Sequence, residues 1–80
     1  MTVTVLLFAS FADAFGRSSV ELTVDAGATV ADLVDQLSTL APDDRLPPRP
    51  LVAVNAEYAG YDVRLNSGDE VALIPPVAGG

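Results

Sequence analysis

Thr2-Val3-Thr4-Val5-Leu6-Leu7-Phe8 opens the chain with an alternating half followed by a fully apolar half. Alternation of Thr and Val fits a strand with one face in a core, and the apolar continuation fits a strand with neighbours on both sides. Side chains two residues apart share a face, so Val3, Val5 and Leu7 point one way and Leu6 and Phe8 the other. The reading is an interior strand of a sheet.

The segments that follow define the layer around it. Phe8, Phe11, Ala12 and Phe15 recur at helical spacing, which predicts a short helix between Ala9 and Phe15 stopped by Gly16. Val20, Leu22 and Val24 alternate with Glu21, Thr23 and Asp25, predicting a half-buried strand. The connection from the first strand is too short for a parallel crossover, so the pair is antiparallel. Thr29-Val30-Ala31-Asp32 has the form of a capping box, and Val30, Leu33, Val34, Leu37 and Leu40 follow as one apolar helical stripe facing a core. Asp32 and Asp35 sit early in that helix, where its dipole favours negative charge, and Pro42 ends it.

The second half is strand and turn. Pro42 to Pro50 contains four prolines and two aspartates and reads as an extended surface loop. Leu51 to Val54 is a short strand, Asn55-Ala56-Glu57 a turn, and Tyr58 to Leu65 an irregular segment in which Tyr61 packs. Asn66-Ser67-Gly68-Asp69 is a turn with Gly68 suited to positive φ. Glu70 to Ile74 is the last strand, ended by Pro75-Pro76. One sheet crossed by one long helix is an α+β arrangement, and an interior first strand with a crossover helix gives a single β-grasp domain, a mixed sheet over residues 1–74. Residues 75–80 then form a flexible C-terminal Gly-Gly tail.

Composition narrows the chemistry. Half of the 80 residues are hydrophobic, enough for one core. The chain has no Cys, no His and no Lys, so it lacks a thiol nucleophile, an imidazole proton shuttle and a Schiff-base amine. No carboxylate spacing resembles a calcium loop, and no metal site is expected. The net charge of −7 opposes binding to nucleic acid or an anionic membrane and suits a partner with a basic docking surface. The apolar run from Val5 to Ala9 is too short to span a bilayer and lacks a basic flank, so a cytoplasmic protein is expected. Without lysine the chain has no side-chain amine on which to receive an isopeptide. The four arginines, Arg17, Arg45, Arg49 and Arg64, form no cluster in the sequence.

The ending Pro75-Pro76-Val77-Ala78-Gly79-Gly80 has a different use. Two glycines contribute nothing to a core, whereas six extended residues reach about 20 Å. A tail with no Cβ at its last two positions threads a narrow channel and delivers the Gly80 carboxylate. Activated by ATP as an acyl-adenylate, that carboxylate becomes an acyl donor to sulfur or an amine. This chain therefore joins a reaction as carrier or substrate, without catalytic side chains of its own.

Strand parity leaves some apolar residues unassigned to the core. With Val3, Val5, Leu7, Val20, Leu22, Val71 and Leu73 facing the long helix, Phe8 and Ile74 fall on the opposite face, with Leu6 and Ala72 beside them. Nothing in the predicted elements covers that face unless the Phe11/Phe15 segment or the proline loop does, and an exposed apolar patch there reads as a docking surface.

Val5-Leu6-Leu7-Phe8-Ala9, Val52-Ala53-Val54-Asn55 and Gly68-Asp69-Glu70-Val71-Ala72-Leu73-Ile74-Pro75-Pro76-Val77-Ala78-Gly79-Gly80 together resemble the ubiquitin-like sulfur carriers of MoaD and ThiS type. Within them the likeness is to the small subunit of molybdopterin synthase. It spans the whole chain, and the closing pattern is its most specific part. The resemblance implies that an ATP-using, ubiquitin-activating-like adenylyltransferase forms the Gly80 acyl-adenylate and that a sulfur-transfer protein converts it to a Gly80 thiocarboxylate. It implies docking on a large subunit, in an assembly of two small and two large subunits, with Pro75, Pro76, Val77, Ala78, Gly79 and Gly80 inserted in the large subunit's active site. It also implies that Phe8, Tyr58 and Ile74 face partners and that the sulfur goes to cyclic pyranopterin monophosphate, with no resident cofactor. Sulfur carriers for thiamine thiazole or cysteine synthesis, a ubiquitin-like protein modifier, and a plain interaction domain remain as alternatives.

Overall fold

A computed structural model describes residues 1–40 and 50–74, except the side chains of Ala9, Ser10 and Ala14. The chain runs β1 (Thr2–Leu7), α1 (Ala9–Phe15), β2 (Ser19–Thr23), α2 (Val30–Leu40), β3 (Leu51–Val54), β4 (Glu57–Tyr58) and β5 (Glu70–Ile74). The strands form one mixed sheet in the order β2-β1-β5-β3-β4. β1 is antiparallel to β2 and parallel to β5, while β3 is antiparallel to both β5 and β4. This is the expected β-grasp arrangement, with the first strand interior and the last strand at the centre.

The core lies between α2 and one face of the sheet. Val3, Val5 and Leu7 of β1, Leu22 of β2, Val52 of β3 and Val71 and Leu73 of β5 are buried with Val30, Leu33, Val34 and Leu37 of α2. Val20 is partly buried against the same cluster. Phe11 of α1 is buried in that core and Phe15 packs on it, so neither is spent on the other face of the sheet. The helical stripe stops one turn earlier than its periodicity predicts. Leu40, in the last position of α2, is 58% exposed.

Local chemistry fixes the ends of the elements. Gly16 adopts φ 74°, and its N–H, with that of Arg17, donates to the Ala12 carbonyl, closing α1. At α2 the Asp32 N–H donates to Thr29 Oγ1 at 3.3 Å, and the Thr29 N–H donates to Asp32 Oδ2 at 2.9 Å. This is the expected reciprocal cap in its Asp form. The next two helix N–H groups donate to the segment after β4: Val30 to the Val63 carbonyl and Ala31 to the Tyr61 carbonyl. That arrangement satisfies donors a helix start always leaves open, and it orders a segment with little regular structure of its own.

At two further places the structure differs from the sequence expectation. The stretch from Tyr58 is not wholly irregular, because Glu57 and Tyr58 pair with Val54 and Ala53 as β4 across a tight Asn55-Ala56 turn. Both turn residues have positive φ, 51° and 72°, without the glycine that normally marks such a turn. Pro50 is buried instead of lying on the surface, and its carbonyl accepts the Tyr61 hydroxyl, which anchors the entry to β3. The rest of the proline-rich loop, 41–49, lies outside the described residues.

Candidate functional site

The register of the sheet sets the composition of the face turned away from α2. Leu51 is directly opposite Ile74, and Phe8 follows Leu7, the partner of Leu73. Phe8, Ile74 and Leu51 therefore gather at one end of this open face, where β5 ends. Phe8 is 48% exposed, Leu51 52%, and Ile74 half-buried. One step back along the strands runs a second row, Ser19, Leu6, Ala72, Ala53 and Tyr58, each paired with the next. Leu6 and Ala72 are partly exposed, Ala53 is buried, and Tyr58, on the edge strand, is 73% exposed. A third row holds Glu21, Thr4 and Glu70.

Of the residues singled out in the sequence, the structure thus brings Phe8 and Ile74 to one end of the open face. It sets Tyr58 at the β4 edge of the adjacent row. Leu51 belongs with the first two, although the sequence reading did not single it out. Strand parity would have found it: Val52 and Val54 belong to the helix side, which leaves Leu51 and Ala53 to the other. Pro75, Pro76, Val77, Ala78, Gly79 and Gly80 lie outside the described residues.

Side-chain hydrogen bonds hold the strand that ends in Ile74. The Asn55 side-chain amide donates to Asp69 Oδ1 at 3.0 Å, and Asn55 Oδ1 accepts the Glu70 N–H at 3.0 Å. The Asn55 backbone N–H donates to the Glu70 carbonyl, and Asp69 Oδ2 accepts the Asn66 N–H at 2.7 Å. Asp69 is the single buried acidic residue among those described, and both of its oxygens are satisfied. This clasp fixes β5 against β3 at the acidic end and so sets which residue stands opposite Ile74 at the apolar end. Among the described residues, no group of three or more acidic side chains could hold a metal ion, and no helix is long and apolar enough to cross a membrane.

The ThiS family model matches residues 5–80, nearly the whole chain. The chain belongs to the ThiS family. It is 37% identical over 81 residues to the molybdopterin synthase sulfur carrier subunit of Dictyostelium discoideum, covering 95% of this chain and 93% of that protein. The same-named subunit of Mycobacterium tuberculosis (strain ATCC 25618 / H37Rv) is 41% identical over 80 residues, covering 98% and 96%. Small archaeal modifier protein 1 of Haloferax volcanii is 37% identical over 83 residues, covering 92% and 95%. Among solved structures, the crystal structure of small archaeal modifier protein 1 from Haloferax volcanii superposes with a TM-score of 0.83 at 35% identity, covering all of both chains. A chain of the BexX/CysO complex of Amycolatopsis orientalis gives 0.71 at 27% identity, covering 98% of this chain and 99% of that one. A chain of the complex of subunits 1 and 2 of molybdopterin-converting factor from Helicobacter pylori gives 0.68 at 20% identity, covering all of both, which is a likeness of fold. Molybdopterin synthase sulfur carrier subunits and a small archaeal modifier protein are thus both among the relatives of this chain.

Proposed function

We propose that this chain is the sulfur carrier subunit of a molybdopterin synthase. The observation that carries the reading is the position of Phe8, Leu51 and Ile74, an apolar end of the sheet at the point where the chain continues into Pro75-Pro76-Val77-Ala78-Gly79-Gly80. A docking surface beside a glycine-ended tail suits a protein that is held while its terminus enters another protein's active site. The 37% and 41% identities to molybdopterin synthase sulfur carrier subunits support the choice of pathway.

In this reading the Gly80 carboxylate attacks the α-phosphorus of ATP on an adenylyltransferase, and pyrophosphate leaves. Sulfide-level sulfur delivered by a sulfur-transfer protein attacks the acyl carbon, AMP leaves, and the Gly80 thiocarboxylate remains. With the tail in the large subunit, the thiocarboxylate sulfur attacks a side-chain carbon of cyclic pyranopterin monophosphate, and the carbon–oxygen bond there breaks, its oxygen leaving as water or with the phosphate. Hydrolysis of the acyl–sulfur bond leaves sulfur on the pterin and restores the carboxylate, and two charged chains supply the dithiolene. Gly79 and Gly80 keep the terminal carbonyl open to attack, and this chain supplies no acid or base. ATP-dependent charging implies a cytoplasmic location.

The test is reconstitution. Chain bearing the thiocarboxylate, mixed with the large subunit of the same organism, converts cyclic pyranopterin monophosphate to molybdopterin, while uncharged chain does not. No conversion, together with sulfur transfer to a thiazole or cysteine synthase homologue, would move the carrier to another pathway. A second reading, a ubiquitin-like modifier joined through Gly80 to amines of other proteins, is favoured by the likeness to small archaeal modifier protein 1. Higher-mass conjugates carrying this chain in host lysate would support it.

A further inference from the structure

With no Lys, Cys or His in its sequence, the chain carries one group that attacks an acyl carbon readily at neutral pH, the Met1 α-amine. Hydroxyls need a base to take their proton, and the chain has no imidazole to do so. The sheet ties the amine down. It donates to the Val24 carbonyl at 2.8 Å, and the Val24 N–H donates back to the Met1 carbonyl at 2.8 Å. On the other side the Gly68 N–H donates to the Thr2 carbonyl, and Met1 itself is partly buried against the core. Met1 therefore sits within the hydrogen-bond ladder.

Distance separates this amine from the terminus as well. β1 and β5 run parallel with Leu7 beside Leu73, so Met1 lies at the opposite end of the sheet from Ile74. Seven strand steps from Met1 to Phe8 cover about 23 Å. Six extended residues beyond Ile74 reach about 20 Å, so Gly80 falls short of the amine of its own chain. The cation near the Ile74 end is Arg17. It precedes Ser18, whose carbonyl accepts the Leu7 N–H, and so stands about two strand spacings, roughly 10 Å, from the end of β5. Arg17 is exposed and within the reach of Gly80, but a guanidinium stays protonated and is no nucleophile.

We infer that the chain is closed to its own activated terminus: it is an acyl donor and never an acceptor, so each acceptor takes one copy and copies do not join one another. The inference rests on the proposed activation of Gly80. The step it excludes is attack of an amine lone pair on the Gly80 acyl carbon, with AMP leaving, the amine proton passing to solvent and an amide forming. A free amine at the Ile74 end would divert activated chain into that amide before sulfur arrived. An arginine there keeps the charge without the side reaction. Under the modifier reading the same closure limits conjugates to single copies.

Two measurements test this. The first is the rate at which an N-hydroxysuccinimide ester of acetic acid acetylates Met1 in the folded chain, against a chain with Gly-Ser-Gly added before Met1. Two hydrogen bonds at Met1 predict acetylation about tenfold slower in the wild type. Equal rates would overturn the protection of Met1. The second is intact mass after incubation with the adenylyltransferase and ATP, without sulfur donor or other acceptor. The wild type is expected to stay a single chain. Arg17→Lys, at an exposed position, is expected to lose one water by ring closure or to form a two-chain species, each linked through Gly80 to the introduced amine. A Gly80–Met1 linkage in the wild type, or no linkage in Arg17→Lys, would overturn the inference while leaving the proposed function standing. Failure of the wild type to turn over ATP with the adenylyltransferase would overturn the proposed activation, and the acetylation rates would still decide whether Met1 is protected.

Discussion

The Asn55 side-chain amide and Asp69 Oδ1 meet at 3.0 Å across fourteen residues of sequence, joining the β3–β4 turn to the start of β5. Because Asn55 also accepts the Glu70 N–H, one side chain holds two strands in register, and that register continues to the Leu51–Ile74 pair at the far end. The conformation of Asn55 suits this task. Asn tolerates positive φ better than most residues, and its short amide reaches neighbouring backbone groups.

Asn55→Ala removes both bonds and leaves Asp69, buried, with one oxygen unpaired. The expected loss is about 2 kcal/mol of unfolding free energy. Urea denaturation measures it, and an unchanged midpoint would mean that the clasp does not hold β5.

Ala56 sits at φ 72°, where a Cβ is disfavoured. Ala56→Gly removes that strain at the cost of a more flexible unfolded chain. The net expectation is a gain of about 0.5–1 kcal/mol, read as a higher thermal midpoint.

The two ends of the α2 stripe separate core from surface. Leu37→Ala, at a fully buried position, is expected to cost about 3 kcal/mol, a large share of the stability of so small a domain. Leu40→Ala, at an exposed one, should change stability by less than about 0.5 kcal/mol. Equal losses at the two positions would place Leu40 in the core after all.

Phe8→Ala tests the docking face without touching the core. Phe8 is half exposed, and its backbone carbonyl accepts from Phe11 and Ala12 at the start of α1, a role alanine keeps. Circular dichroism should stay unchanged while affinity for the large subunit falls about tenfold or more. An unfolded variant would make Phe8 a core residue instead.

Much of this arrangement is legible in the chain because local and global preferences agree. The alternation of Val3, Val5 and Leu7 identifies their buried face, and Thr29 with Asp32 marks the start of α2 before any packing is known. β4 is not legible, since its turn is Asn-Ala and lacks the glycine that signals such a hairpin, and two residues are too few to show alternation. Leu40 misleads because it keeps the helical spacing of the stripe yet is exposed as the last residue of α2. The apolar end of the open face is half legible: parity assigns Phe8, Ile74 and Leu51 to that face, but that Leu51 stands opposite Ile74 follows only from a β3–β5 register held by Asn55, fourteen residues before Asp69.

The proposed function stands on Gly80 carrying sulfur. The direct measurement is intact mass of the chain after incubation with its adenylyltransferase, ATP and a sulfur donor, for wild type, Gly80→Ala and a chain extended by one residue after Gly80. Wild type is expected to gain the mass of one oxygen replaced by one sulfur, located at Gly80 by fragmentation. Gly80→Ala should gain it more slowly, and the extended chain not at all. Normal sulfur loading of the extended chain, or wild type that stays at its starting mass while the adenylyltransferase consumes ATP with it, would contradict the account.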